Sequence, residues 1–380
     1  MDRPVQRLVA GSLTLVSRWF SRKANMRADT PPMVSASRSI ARFGAWNQIA
    51  SGVGYHLDNF GRWLISRAPV IGSAYASLLA PGEPRVGYRP GWRFAAEYYD
   101  QRQWMACRRG ALWEAASKND ITVPLVLPWY GGTTVDVTLG NDNSLSLYVC
   151  GSYEPNEFAF LDEFLKPGMV FVDAGANDGY YTLFAAQKVG PAGQVVAVEP
   201  SSRERVNLRR NIQRNNFDNV RIVTDALGAA SGDADLRLAQ DKHSGHNTLG
   251  KFAHDDVAAA RPERVKVETL DSVVERLALP RVDVIKIDVE GAEASVIAGA
   301  HNTLKTMQPI LLMELNDPAL RAQGNSAAEL LATLRSTLHY EVMSFSGKTG
   351  RIELFSEGAP ISENIVAAPQ QRVSELLGRS

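Results

Sequence analysis

The densest chemistry in this sequence lies in Phe171-Val172-Asp173-Ala174-Gly175-Ala176-Asn177-Asp178-Gly179-Tyr180-Tyr181. An apolar strand ending in an acid, a glycine-containing loop and the start of a helix follow one another without a break. Such a turn aims backbone N–H groups across the carboxyl edge of a parallel sheet, where doubly wound folds bind ligands. Glu199 comes twenty residues after Gly179, at the end of the next apolar run. From that place an acid takes both hydroxyls of a ribose. The glycine spacing separates the cofactors. A dinucleotide fingerprint, G-x-G-x-x-G, makes room for a pyrophosphate, but here Gly175 and Gly179 stand four apart with Asp173 and Asp178 around them. Two acids repel a pyrophosphate. They suit a ribose-bearing cofactor with a cationic, amino-acid-like end, which describes S-adenosylmethionine. The alternative is a loop that serves only as a tight strand-to-helix turn.

A second concentration is Val284-Ile285-Lys286-Ile287-Asp288-Val289-Glu290-Gly291-Ala292-Glu293. Read as a strand, it turns Ile285, Ile287 and Val289 to one face and Lys286, Asp288 and Glu290 to the other. A central parallel strand is apolar on both faces, so three ionisable residues are costly unless paired or functional. One reading is a Lys286–Asp288 ion pair at the strand end. The other sets Asp288 and Glu290 beside the reacting group, where mutual repulsion raises one pKa until it can accept a proton. In Lys242-His243-Ser244-Gly245-His246-Asn247-Thr248, two histidines lie three apart in a polar connection. His246 is a third candidate base near neutral pH. No acidic third ligand stands at a matching spacing, so no metal site is expected. Cys107 and Cys150 have no paired spacing either, which excludes a zinc ribbon or disulfide framework and makes reduced, cytoplasmic thiols the expectation.

The elements that must position these residues follow from hydrophobic periodicity. From residue 155 strands alternate with helices: helix over 157–165, strand over 169–173, helix over 180–189, strand over 195–199 and helix over 203–215. Strands are expected again at 220–224, 234–238, 265–270, 282–288 and 309–315, with helices at 272–277, 293–304 and 327–338. This alternation implies a mostly parallel sheet covered on both faces. Strands at 340–345 and 351–355 are joined too tightly for a helical crossover and must be antiparallel. Upstream, the pattern predicts a helix after residue 91, a strand over 121–127, and a hairpin of 135–139 with 144–150 turning at 140–143.

The 380 residues carry equal numbers of basic and acidic side chains, but the two signs are not evenly spread. Residues 1–130 hold 17 Lys and Arg against 8 Asp and Glu, together with all seven tryptophans. A basic, Trp-rich N-terminal region (1–120) followed by a catalytic domain (121–380) is therefore expected, the seam lying near Trp129-Tyr130-Gly131-Gly132. The acidic remainder argues against a nucleic-acid surface. The basic part suits docking on the acidic domain, recognition of the acceptor, or peripheral contact with an anionic membrane. Leu8 to Val16 is apolar, yet it is too short to span a bilayer and is bracketed by Arg7 and Arg18. Bulky, basic residues follow it where a signal peptide would need small ones, and a transit peptide is equally disfavoured.

Together, Val172 to Gly179, Val198 to Ser201, Thr269 to Ser272 and Ile285 to Glu293 resemble the FkbM-type S-adenosylmethionine-dependent methyltransferases, over roughly Tyr148 to Leu320. The resemblance implies an α/β class I methyltransferase fold: a doubly wound, Rossmann-like, mostly parallel seven-stranded sheet with a terminal antiparallel hairpin, here with an N-terminal extension. It also implies methylation of a hydroxyl on a sugar, glycolipid, polysaccharide or natural-product acceptor. N-methylation of an amine and a non-catalytic cofactor-binding module are the alternatives. By position, Asp173, Gly175, Asn177 and Gly179, with Ala176 and Asp178 in the same loop, would hold the methionine part of the cofactor. Glu199 would bind the ribose, Pro200 and Ser201 would shape the adenine wall, and Asp225, Ala226 and Leu227 would meet the adenine ring. Glu154 would lie over the cofactor's amino end, or else be an N-terminal acid on the following helix. Asp288, Glu290 and His246 are the catalytic candidates.

Overall fold

A computed structural model describes residues 58–91, 103–252, 260–355 and 364–378. The apolar run at Leu8, the start of the helix expected after residue 91, and Trp19, Trp46 and Trp92 lie outside the described residues. Among the described residues, no helix is long and apolar enough to cross a membrane.

Helix α1 (Pro69–Leu78) packs on an antiparallel ribbon of β1 (Val123–Pro128) and β2 (Thr134–Leu139), in which Val123 pairs with Leu139. Helix α2 (Gln103–Lys118) packs on residues 145–150, which form a short π-helical segment. The expected hairpin of 135–139 with 144–150 is thus wrong in both strands' pairing. Ser144-Leu145-Ser146-Leu147-Tyr148-Val149-Cys150 alternates like a strand, but residues 144–148 are all buried, Ser146 included, so the alternation marks no exposed face.

The main sheet contains β3 (Val170–Ala174), β4 (Gln194–Val198), β5 (Val220–Val223), β9 (Val284–Ile287), β10 (Ile310–Glu314), β11 (Tyr340–Phe345), β12 (Ile352–Leu354) and β13 (Asn364–Pro369). Its order is β12-β11-β13-β10-β9-β3-β4-β5, with the run β10-β9-β3-β4-β5 parallel. The sheet is therefore eight-stranded and mixed rather than seven-stranded. β11 and β12 pair antiparallel, but they are not the terminal hairpin that was expected, because β13 follows them in the chain and enters between β10 and β11, antiparallel to both. Strands β6 (Ala226–Leu227), β7 (Gly232–Leu236) and β8 (Glu263–Glu268) make a separate small sheet instead of joining the main one.

Side chains of β3 alternate between two cores. Phe171 joins Trp129, Phe158, Leu183 and Phe184 on one face, whereas Val170 and Val172 join Ile285, Leu311 and Val273 on the other. On the first face, Trp129, Tyr130, Phe158 and Tyr180 form an aromatic cluster with ring centroids 4.8–5.4 Å apart. That cluster fixes α3 (Pro155–Phe164) and α4 (Tyr180–Val189) beneath the carboxyl ends of the central strands. Helix α5 (Glu204–Arg214) follows β4; its Asn211 accepts from Asp136 N of β2, and Asn215 at its C-cap accepts from Thr134 N and donates to Thr134 O. Thr269 to Ser272 is architectural. Thr269 caps α6 (Leu270–Arg276) by accepting from Ser272 N at 3.1 Å, and Asp271 accepts from Asn302 and Thr303 N at 2.9 and 2.8 Å, holding the start of the helix His301–Met307.

Candidate active site

Strand order reverses between β3 and β9, and a cleft opens at their carboxyl ends, as expected for an open α/β sheet. Gly175, Ala176, Asn177 and Asp178 line it. Gly175 (φ +83) runs so close to β9 that a Cβ there would stand 1.9 Å from the Asp288 carbonyl oxygen. The Gly175 and Ala176 amides donate to the Val198 carbonyl at 3.1 and 3.0 Å, and the loop closes with Gly179 N donating to Ala176 O at 2.8 Å.

Glu199 also lines the cleft. Its Oε1 accepts from Ser201 N and its Oε2 from Asn177 N, both at 2.8 Å, so each oxygen keeps a second acceptor position. Burial pushes its pKa up to about 7, against the lowering effect of those two amides. Burial likewise raises Asp178 to about 6, although Asn207 donates to its carboxylate at 3.0 Å. Pro200, Ala226 and Leu227 complete this wall with Leu236 and Leu249 from outside the motifs.

The opposite wall carries Glu154, Lys286, Asp288, Glu290, Glu314 and Asn364. Asp288 does not share a strand with Glu290, because β9 ends at Ile287 and Glu290 lies in a turn with φ +52. The turn is held from several sides. Thr248 Oγ1 and Gln323 Nε2 donate to the Glu290 carbonyl at 2.8 and 2.9 Å, and the buried Glu293 accepts from Val289 and Gly291 N at 3.2 and 3.1 Å. Asp288 Oδ2 lies 3.2 Å from Lys286 Nζ, and Glu290 Oε1 lies 3.1 Å from His246 Nδ1. Asp288 is thus ion-paired with Lys286, as one reading of the ionisable run expects, and it also lines the cleft. His243 is engaged separately, 2.6 Å from Asp142.

Glu154 occupies the N-cap position of α3 with a left-handed φ of +37 and makes no side-chain cap bond. It accepts instead from Tyr181 Oη at 2.6 Å and Asn364 Nδ2 at 3.2 Å, and burial holds its carboxyl above the usual range.

Four sequence candidates do not line the cleft. Asp173 is fully buried beneath it, accepting from Thr182 Oγ1 at 2.6 Å. Gly179 packs against α5, where a Cβ would stand 2.7 Å from a Leu208 methyl. Ser201 donates its amide to Glu199 and its hydroxyl to Glu204, and Asp225 lies outside the lining. Conversely, sequence reasoning missed Asn143, Glu314 and Asn364. Asn143 Nδ2 donates to Asn177 Oδ1 at 3.1 Å, while the Asn177 side chain donates to Ser244 O at 3.2 Å, latching residues 241–246 over the loop. Only the acid ending β10 was a signal for Glu314. Oxygens of Asp288, Glu290 and Glu314 lie within 4.8 Å of one another. Protons and the Lys286 ammonium also relieve such a cluster, so the grouping alone defines no metal site.

The residues fit S-adenosylmethionine. A side-chain-free cradle at Gly175, a carboxylate at Glu199 aimed along a wall that becomes apolar at Ala226 and Leu227, and an acid-lined opposite wall match its amino-acid, ribose, adenine and cationic parts.

Residues 173–342 match the family model described as the methyltransferase FkbM domain. The chain is 27% identical over 201 residues to the AMB antimetabolite synthetase AmbE of Pseudomonas aeruginosa, covering 45% of this chain and 9% of AmbE. It is 29% identical over 167 residues to the 2-O-methyltransferase NoeI of Sinorhizobium fredii (41% of this chain, 66% of NoeI). Over 164 residues it is 30% identical to methyltransferase 1 of Beauveria bassiana (38% and 64%). The chain thus spans less than two thirds of each of these three relatives. Among solved structures, the methyltransferase FkbM of Methylobacillus flagellatus aligns at 14% identity over 60% of this chain and 55% of that one, with a TM-score of 0.32.

Proposed function

From the match of residues 173–342 to the methyltransferase FkbM domain, we propose that the chain uses S-adenosylmethionine to methylate a hydroxyl oxygen of a sugar, glycolipid, polysaccharide or natural-product acceptor. The observation that carries the oxygen assignment is the His246–Glu290 pair, 3.1 Å apart at the wall of the cleft beside Asp288. A neutral alcohol is a poor nucleophile and must lose its hydroxyl proton in or near the transition state. When bound, the cofactor would supply an electrophilic methyl to the acceptor oxygen, its sulfur keeping the electron pair of the C–S bond. His246 takes the hydroxyl proton. Glu290 holds the imidazole through Nδ1 and stabilises the imidazolium that results. Asp288, paired with Lys286, is left to accept a hydrogen bond from the acceptor rather than its proton. This ordering places His246 ahead of the two carboxylates that the sequence alone favours. NoeI, a 2-O-methyltransferase by name, supports transfer to oxygen.

The test is a transfer screen with labelled S-adenosylmethionine across sugars, glycolipids and amines, with the methylated atom read by NMR. Transfer to nitrogen only would sink the proposal. With an accepted substrate, His246→Ala is expected to lower turnover by about a hundredfold to ten-thousandfold, with S-adenosylhomocysteine affinity changed no more than about threefold. Glu290→Gln is expected to lose less. Full turnover in His246→Ala with loss in Asp288→Asn would return the base to Asp288.

A further inference from the structure

Lys286 on β9 and Asp173 on β3 are register partners in adjacent parallel strands and lie on the same face of the sheet. Both are buried, with side-chain exposures of 8% and 0%. Lys286 Nζ lies 3.7 Å from Asp173 Oδ1 and 3.2 Å from Asp288 Oδ2, donates to the Gly175 carbonyl at 3.0 Å, and stands 5.2 Å from the Tyr181 ring centroid. Burial alone would depress this ammonium, but the carboxylates of Asp288, Asp173 and Glu154 outweigh it and hold the group above the ordinary lysine value. It stays charged. Lys286 lines the cleft, whereas Asp173 does not.

We propose that Lys286 is a positioning residue for the methyl-donor site, tying the Gly175 carbonyl and the Asp288 carboxylate to one buried point, and that Asp173 is its counter-charge rather than a cofactor ligand. A trans peptide is planar, with its C=O and the following N–H on opposite sides. Holding the Gly175 carbonyl at Lys286 therefore turns the Ala176 N–H toward Val198, where it is found at 3.0 Å. The same ammonium sets the rotamer of Asp288 at the mouth of β9. Asp173 holds the ammonium from beneath and is itself held by Thr182 at 2.6 Å. The proposal rests on the reading of this cleft as the cofactor site.

The test is a double-mutant cycle on the full chain, read by unfolding calorimetry and by titration with S-adenosylhomocysteine. Lys286→Met alone leaves Asp173 as a buried, unpaired charge and is expected to lose much of its thermal stability. Asp173→Asn combined with Lys286→Met removes both charges and should regain most of it. The double variant is nevertheless expected to bind S-adenosylhomocysteine at least about thirtyfold more weakly than wild type, whereas Asp173→Asn alone stays within about threefold. Wild-type affinity in the double variant would reduce Lys286 to neutralising Asp173. An equal loss in Asp173→Asn alone would make Asp173 the cofactor ligand, and a double variant no more stable than Lys286→Met would end the counter-charge assignment. Failure of the wild-type chain to bind S-adenosylhomocysteine at all would overturn the cofactor-site reading itself.

Discussion

Gly175→Ala is expected to cost at least about a hundredfold in S-adenosylhomocysteine affinity, roughly 2.8 kcal/mol. Two effects combine at this position. The residue has φ +83, a conformation that L side chains rarely adopt, and the added Cβ would lie 1.9 Å from the Asp288 carbonyl oxygen. Backbone strain of this kind costs about 1–3 kcal/mol by itself. The clash cannot be relieved by a rotamer change, because the obstructing atom is backbone. Either the loop withdraws from β9, which breaks the Lys286 bond to the Gly175 carbonyl, or the end of β9 moves and displaces Asp288. Both distort the cleft. Gly190→Ala is the control, since that residue also has a positive φ (+62) but nothing lies within 4 Å of its would-be Cβ. It should lose stability without losing affinity beyond about threefold. A Gly175→Ala protein that titrates like wild type would mean that the loop is not the cofactor cradle.

Cofactor binding is also expected to strengthen as pH rises, by about tenfold between pH 6 and pH 8. If Glu199 takes the ribose, it must be ionised to accept two hydroxyls at full strength, and burial in the cleft holds its pKa up at about 7. Binding should therefore release a proton near neutrality, visible as a dependence of the calorimetric heat on buffer ionisation enthalpy. Glu199→Gln should bind at least about tenfold more weakly at pH 8 and lose the slope. Stability of the cofactor-free chain should run the other way. Glu199 and Glu293 have folded pKa values of about 7 and Asp178 about 6, all raised from 4.5 or below by burial. The folded state then binds more protons than the unfolded one, so the contribution of these groups is fully present below about pH 4 and is lost as pH rises through 6 and 7. A flat affinity between pH 6 and 8, or the same slope in Glu199→Gln, would remove Glu199 from the ribose.

What the sequence by itself determined is what local spacing encodes. The succession β3, α4, β4, α5 follows from apolar period and from Gly179 and Gly190 at the helix ends, and the same spacing puts the Gly175 loop and Glu199 on one edge of a parallel sheet. Tertiary structure decided everything that depends on which neighbour a residue meets. Asp173 and Asp178 look alike in the motif, but β3 is flanked on both sides, so Asp173 turns under the sheet to Lys286 while Asp178 stays at the cleft. Asn364 to Pro369 is a short apolar run whose slot between β10 and β11 is created by strands contributed from elsewhere in the chain, and that slot alone brings Asn364 opposite Glu314. His246 and Glu290 are 44 residues apart, and the turn that carries Glu290 is held by Thr248, by Gln323 and by Glu293 at the start of the following helix. Periodicity records how a segment's own backbone repeats. Partners, burial and charge pairing are properties of the assembled neighbours, and for that reason the Gly175 loop and the acids Glu154, Asp288 and Glu290 were legible in the sequence, whereas the groups that meet those acids were not.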